Sequence, residues 1–299
     1  MTGAGPARSF LRRTLLFVPG STPERIAKAV ATAADSMILD LEDAVAPAQK
    51  VPAREWVVAA LRGVDFRGHE RIVRINPLDS PFGAEDLAAV VAVAPDAILV
   101  PKVAGVDGVT RLDREIGRLE AAAGLPVGRI RLHLLIESVA GVVHADAIAL
   151  GVPRVAALFY GAGDLTRETR GRLVASRTSE LYALSRVLFA ARAAGIQAID
   201  SPFFDLADTA GLEAHARLAA DLGYDGKALI HPKQIEAVTR VFTPSADAVT
   251  EARRILAAYE AAVARGAGAL ALDGQFIDAV HVATARDTLE RARLAGVGE

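Results

Sequence analysis

Leu134-Leu135-Ile136-Glu137-Ser138 and Leu158-Phe159-Tyr160-Gly161-Ala162-Gly163-Asp164 are two short apolar runs, each closed by a carboxylate. Runs of this length, bounded by glycine or polar residues, read as strands buried on both faces, as in a parallel sheet. If both strands belong to one parallel barrel, Glu137 and Asp164 face the same mouth. Hard oxygen ligands placed together there suit a divalent cation such as Mg2+.

The rest of the chain repeats the pattern. Eight apolar, β-branched runs lie near Leu15–Val18, Met37–Leu41, Ile72–Ile75, Ala97–Val100, Ile130–Ile136, Val155–Phe159, Gln197–Ile199 and Lys227–Ile230. Alanine-rich stretches of helical period separate them: Glu24 to Ala34 behind Thr22-Pro23, Glu85 to Val93, Val109 to Ala123, Leu181 to Ala194 and Thr209 to Leu222. Pro23 suits a first helical position, and Gly124, Gly195 and Gly223 suit helix stops. Alternating βα units with eight strands predict an α/β fold, a TIM (β/α)8 barrel, over a doubly wound open sheet. The barrel is favoured because polar residues follow nearly every run, whereas an open sheet gathers its site at one switch point.

From Thr243-Pro244-Ser245 onward the pattern changes to a helix from about Ala246 to Arg265, a small-residue stretch Gly266-Ala267-Gly268-Ala269, the segment Asp273 to Asp278, and a last helix. The reading is a barrel over residues 1–242 and a C-terminal helical lid or arm over 243–299, with glycine-rich hinges around a carboxylate.

Composition narrows the function. The 299 residues are 52% hydrophobic and 23% charged, with a formal charge of −2, so an electrostatic nucleic-acid binder is not expected. Cysteine is absent, which excludes disulfides and thiolate chemistry and fits a reducing, cytoplasmic setting. Arg8, Arg12 and Arg13 precede the apolar Leu15–Val18, but Pro19-Gly20 ends that run too early for a targeting segment. Mean hydropathy is positive. Even so, no uncharged run reaches the roughly 18 residues of a membrane span, so a soluble protein is expected.

The groups collected at strand ends are Asp40, Glu42 and Asp43, then Arg74 and Asn76, Lys102, Glu137, Asp164, Asp200 and His231. Arg74 has the fork geometry to hold a substrate carboxylate or steady an oxyanion. Lys102 or Lys227 at a barrel mouth would allow a Schiff base, although neither carries a visible reason for a lowered pKa. Several residues have plainer readings. Asp164, Asp43 and Asp278 are each placed to cap a helix, Ser138 is a better cap than Glu137, and His231-Pro232 reads as a base, a phosphate contact or a turn.

Taken in order, Arg13-Thr14-Leu15-Leu16-Phe17-Val18-Pro19-Gly20, Asp40-Leu41-Glu42-Asp43, Arg74-Ile75-Asn76-Pro77, Pro101-Lys102, Glu137-Ser138-Val139-Ala140-Gly141, Gly161-Ala162-Gly163-Asp164 and Lys227-Ala228-Leu229-Ile230-His231-Pro232-Lys233-Gln234 form a specific set. On these motifs the chain resembles the citrate lyase β-subunit-like family of the HpcH/HpaI aldolase superfamily, which includes malyl-CoA and citramalyl-CoA lyases. The resemblance runs from about Arg12 to Asp278. It implies a Mg2+-dependent carbon–carbon lyase that splits a 3-hydroxy-3-carboxyl acyl-CoA into acetyl-CoA and a 2-oxo acid, or condenses them. Glu137 and Asp164 would hold the metal, and Arg74 would contact the substrate. Asp40, Glu42 and Asp43 would stand behind them, and Asp278 would be the acid/base group supplied across a subunit interface. Arg13, Lys50, Arg54, Lys102 and His231 would meet substrate or CoA. A homo-oligomer, with a trimer favoured, follows from a lid acting in trans.

Three alternatives share these motifs: a citryl-carrier lyase with an acyl-carrier partner, a Mg2+-dependent aldolase on free hydroxy-keto acids, and a non-catalytic CoA-ester binding subunit. The chain departs from the family pattern at Thr14, where serine is usual, and at Tyr182-Ala183-Leu184-Ser185-Arg186, where arginine commonly follows alanine. The arginine-rich stretch from Arg167 to Arg177 reads as a loop specific to a subgroup, its plainer reading being a solvated surface.

Overall fold

A computed structural model describes residues 10–297; Arg8 lies outside the described residues. The chain divides into two compact units, one ending at Val238 and the other beginning at Thr239. In the first, eight strands close into a parallel barrel in sequential order: β1 Thr14–Pro19, β2 Ser36–Asp40, β3 Glu70–Arg74, β4 Ala97–Val100, β5 Arg131–Ile136, β6 Val155–Tyr160, β7 Gln197–Asp200 and β8 Gly226–Leu229. β8 returns to β1 through the pairs Thr14 with Lys227 and Leu16 with Leu229. The connections are helical, so the TIM-barrel reading stands and the open sheet does not.

Alternation along the strands decides what reaches the mouth. Leu15, Ile38, Ile72, Leu99, Leu135, Phe159 and Ile199 form one cluster inside the barrel. Counting two residues on from Ile38, Ile72 and Leu135 gives Asp40, Arg74 and Glu137, which share that inward face at the carboxyl ends. Asp200 follows Ile199 by one residue and therefore turns outward. The barrel's register runs on past the strands: Leu41 N–H donates to Arg74 O at 2.9 Å and Gly161 N–H to Ile136 O at 2.9 Å.

The outward turn of Asp200 explains a buried polar cluster that the strand-end reading did not foresee. Its carboxylate accepts from Arg177 Nη2 at 2.7 Å, from Arg177 Nη1 at 3.0 Å and from Lys227 Nζ at 2.6 Å. Arg177 also reaches Glu180 at 3.2 Å and the His215 carbonyl at 3.1 Å. The solvated reading of the Arg167–Arg177 stretch thus fails at Arg177, whose side chain is 0% exposed. Burial alone would raise the Asp200 pKa, but Lys227 and Arg177 overcome it and hold the carboxyl well below its usual range.

The second unit contains the helices Ala246–Val263 and Ala279–Leu294 and, between them, a hairpin of β9 Leu270–Leu272 and β10 Gln275–Ile277. Within the carboxylate-bearing segment, Asp273 and Gly274 both adopt positive φ, 51° and 79°. That is the two-residue Asp-Gly turn whose twist matches antiparallel strands. Among the described residues, no helix is long and apolar enough to cross a membrane.

Candidate active site

The mouth is organised around three short chains of contacts. On β2 and β3, Arg74 donates to Asp40 in a fork, Nε to Oδ1 at 2.7 Å and Nη2 to Oδ2 at 2.5 Å, with its guanidinium 4.7 Å from the Phe17 ring centre. Burial works against the Arg74 charge, but Asp40 and then Glu42 more than offset it, so its pKa is raised. Asp40 also accepts from Glu42 N–H at 2.9 Å and Ala44 N–H at 3.1 Å, which shapes the turn after β2. Asp43 caps no helix; the next element is the 3-10 turn Pro47–Gln49.

Glu42 joins this pair to Lys102, whose Nζ donates to Glu42 Oε1 at 2.6 Å. The other oxygen, Oε2, is buried and lies 3.0 Å from Arg74 Nη1, yet no N–H points along that line and it is left without a hydrogen bond. Burial is the main reason the Glu42 pKa is raised. Glu42 is the member of the site whose unmet demand for positive charge is most visible.

Glu137 and Asp164 line one cleft of about 300 Å3 with Lys102, Ser138, Arg167 and Glu168. Lys102 N–H donates to Glu137 Oε1 at 2.8 Å. Burial first, and the negative charges of Glu42 and Asp164 after it, push the Glu137 pKa up to about 7 despite that hydrogen bond. Ser138 caps the helix Val139–Val143 by accepting from Gly141 N–H at 3.0 Å, which leaves Glu137 free for the cleft. Asp164 is not a cap either: Gly161 precedes the helix Ala162–Thr169, and Asp164 lies within its first turn. Its carboxylate accepts from Arg167 Nη2 at 3.2 Å. Among the described residues, no group of three or more His, Asp or Glu side chains is placed to hold a metal ion.

The other named residues are engaged by protein partners. Arg13 precedes β1 and forks onto Asp35 before β2, at 2.8 and 3.0 Å. Parallel strands put that position at the amino-terminal rim, so Arg13 is not brought to the mouth. Lys50 Nζ donates to Asn76 Oδ1 at 2.6 Å and to the Leu41 and Glu42 carbonyls, while Arg54 pairs with Asp86 at 2.7 Å and Glu85 at 2.6 Å. His231 serves the turn: its Nδ1 accepts from Lys233 N–H at 3.1 Å at the start of Pro232–Gln234. Arg186 spends its guanidinium on Asp146 at 2.9 Å and bridges two outer helices.

Neither lysine is set up for a Schiff base. Glu42 raises the Lys102 pKa against the effect of burial. Burial lowers Lys227 to about 8, but its side chain is 0% exposed and Nζ is already engaged by Asp200, Ser201 O and His215. In the second unit, Asp278 caps Ala279–Leu294, accepting from Val280 N–H at 2.9 Å and lying 2.8 Å from His281 Nδ1. The contact with the His281 ring, and then the backbone N–H groups of Val280 and His281, hold its pKa below the ordinary value.

A closed parallel barrel with carboxylates, a guanidinium and an ammonium gathered at its carboxyl end is the arrangement of a barrel enzyme, whose active site lies at that face. Residues 13–232 match the family described as HpcH/HpaI aldolase/citrate lyase, and the chain belongs to that family. It is 39% identical to citrate lyase subunit beta of Leuconostoc mesenteroides subsp. cremoris, over 94% of this chain and 93% of that one. It is 38% identical to a (3S)-malyl-CoA thioesterase of Cereibacter sphaeroides, over 94% of each. Among solved structures, protein CitE of Mycobacterium tuberculosis in complex with magnesium, acetoacetate and coenzyme A superposes with a TM-score of 0.78 at 34% identity, covering 94% of this chain and 98% of that one. The family and its citrate lyase β-like members make this chain a carbon–carbon lyase.

Proposed function

We propose that the chain is a Mg2+-dependent lyase of a 3-hydroxy-3-carboxyl acyl-CoA such as malyl-CoA or citramalyl-CoA. The observation that carries the reading is the convergence of Glu137 and Asp164 on one cleft, next to the Arg74–Glu42–Lys102 chain. The residues present fit the metal. Burial, and after it the neighbouring charges of Glu42 and Asp164, push Glu137 up to about 7, and among the described residues no protein hydrogen bond reaches its Oε2. Mg2+ commonly takes only one or two carboxylates from the protein, so Glu137 and Asp164 suffice. When bound, it supplies Lewis-acid charge beside the substrate's hydroxyl and carboxylate oxygens.

The chain's own groups do the rest. Arg74, fixed on Asp40 and Phe17, offsets negative charge as it moves from the hydroxyl oxygen toward the thioester enolate. Loss of the hydroxyl proton lets the C2–C3 bond break, giving the 2-oxo acid and the thioester enolate; a proton delivered to C2 then yields acetyl-CoA. Asp278, ionised at neutral pH, is the group assigned to accept the hydroxyl proton and then return it to C2. Residues 1–242 form the catalytic barrel in this reading, and 243–299 form the lid or arm. A neighbouring subunit provides Asp278, and the assembly is a homo-oligomer, with a trimer favoured.

The near full-length match to citrate lyase subunit beta supports a second reading, in which the thioester is borne by an acyl-carrier partner. A panel of free-CoA and carrier-bound thioesters, assayed with Mg2+ and with products identified by mass, separates the two. Rapid turnover of malyl-CoA or citramalyl-CoA supports the first, and turnover of the carrier thioester alone supports the second.

A further inference from the structure

Lys102 is one of the few non-glycine residues with positive φ, at 55°. A side chain there is disfavoured by contact between its Cβ and the carbonyl that follows, and such conformations persist only where the surroundings hold them. Here the surroundings are functional groups. The reversal after Val100-Pro101 aims Lys102 N–H at Glu137 Oε1, 2.8 Å away, and lets Val103 N–H reach Leu135 O at 3.4 Å. The side chain meanwhile crosses to Glu42 at 2.6 Å, with Asp43 at 3.8 Å. One residue just after β4 thereby touches the carboxylates that follow β2 and β5.

We infer that Lys102 is a positioning residue: its left-handed backbone holds Glu137 by one oxygen, and its ammonium holds Glu42, which in turn sets the place of Arg74. The inference rests on the lyase reading for what Glu137 and Arg74 do, and it assigns Lys102 no contact with substrate. The two roles separate chemically. Without the ammonium, Glu42 loses its one good hydrogen-bond donor and the buried carboxylate competes for Arg74. Glycine at 102 keeps both the left-handed backbone and the N–H, while alanine keeps the N–H but lets the segment leave that conformation.

The test uses the full-length protein and two readouts. The first is Mg2+ affinity by titration calorimetry without substrate, comparing Lys102→Gly with Lys102→Ala, which carry the same charge. The expected result is binding three- to tenfold weaker in Lys102→Ala than in Lys102→Gly; equal affinities overturn the backbone role. The second is a double-mutant cycle on KM for the thioester with Lys102→Met and Glu42→Gln. Lys102→Met alone should raise KM about tenfold with kcat changed less than threefold, and should add nothing in the Glu42→Gln background. A full tenfold effect persisting in that background means direct substrate contact and overturns the positioning role. Absence of Mg2+ binding by the unsubstituted protein overturns the metal reading and this inference together, whereas normal wild-type binding with indifferent variants sinks this inference alone.

Discussion

The backbone of Gly161 passes so close to Glu137 that a Cβ built on it would stand 2.4 Å from the Glu137 Cβ and 3.1 Å from Oε2. Its φ of −109° is open to any residue, so the requirement for glycine is steric and comes from Glu137. The end of β6 leaves the room in which the carboxylate that ends β5 is seated.

Gly161→Ala should therefore displace Glu137 rather than strain the backbone. Mg2+ binding by calorimetry is expected to weaken at least tenfold, at a stability cost of about 1–3 kcal/mol from overpacking. Unchanged Mg2+ affinity would mean that Glu137 does not need its present position.

Burial and two neighbouring carboxylates destabilise the Glu137 charge. Removing that charge relieves repulsion while removing a proposed metal ligand. Glu137→Gln is expected to abolish Mg2+ binding yet to leave the melting temperature without Mg2+ equal to or above that of the parent, as when a strained site is exchanged for stability. Asp164→Asn should also abolish binding. Retained binding in either variant contradicts the assignment.

Asp278 has a capping role and a proposed proton-transfer role, and asparagine divides them because it also caps helices well. Asp278→Asn should leave Mg2+ affinity and melting temperature nearly unchanged while lowering kcat about 10^2- to 10^4-fold. A fall in stability with kcat intact would leave only the cap.

The Asp200 cluster predicts stability rather than catalysis. Removing one partner of a buried ionic cluster typically costs about 3–5 kcal/mol, so Asp200→Asn should destabilise by that order at pH 7 in urea unfolding. Because the folded-state pKa of Asp200 is depressed, its contribution is complete above the unfolded value near 3.8 and is lost as pH falls further. The gap between parent and variant should narrow below about pH 4. A gap that widens there is incompatible with an ionised Asp200.

The barrel was legible because apolar runs of strand length recur with helical stretches between them, and the inward positions of Asp40, Arg74 and Glu137 follow from the period of two. The family's motifs added roles for particular residues. What stayed hidden depends on contacts between distant segments. Nothing local marks Lys102 as left-handed or Arg177 as buried, and the outward turn of Asp200 needed the phase of β7 relative to Ile199. The hairpin at Leu270–Leu272 and Gln275–Ile277 is a different matter: Asp273-Gly274 between alternating residues is a turn signal, masked by the small residues just before it.

The most direct test of the central claim is the rate of acetyl-CoA and 2-oxo acid release from malyl-CoA or citramalyl-CoA, followed by mass before chelation, after EDTA, and after Mg2+ is restored. The account predicts that both products appear together, stop with EDTA and resume with Mg2+. Release that continues unchanged in EDTA, or thioester hydrolysis without any acetyl-CoA, would contradict it.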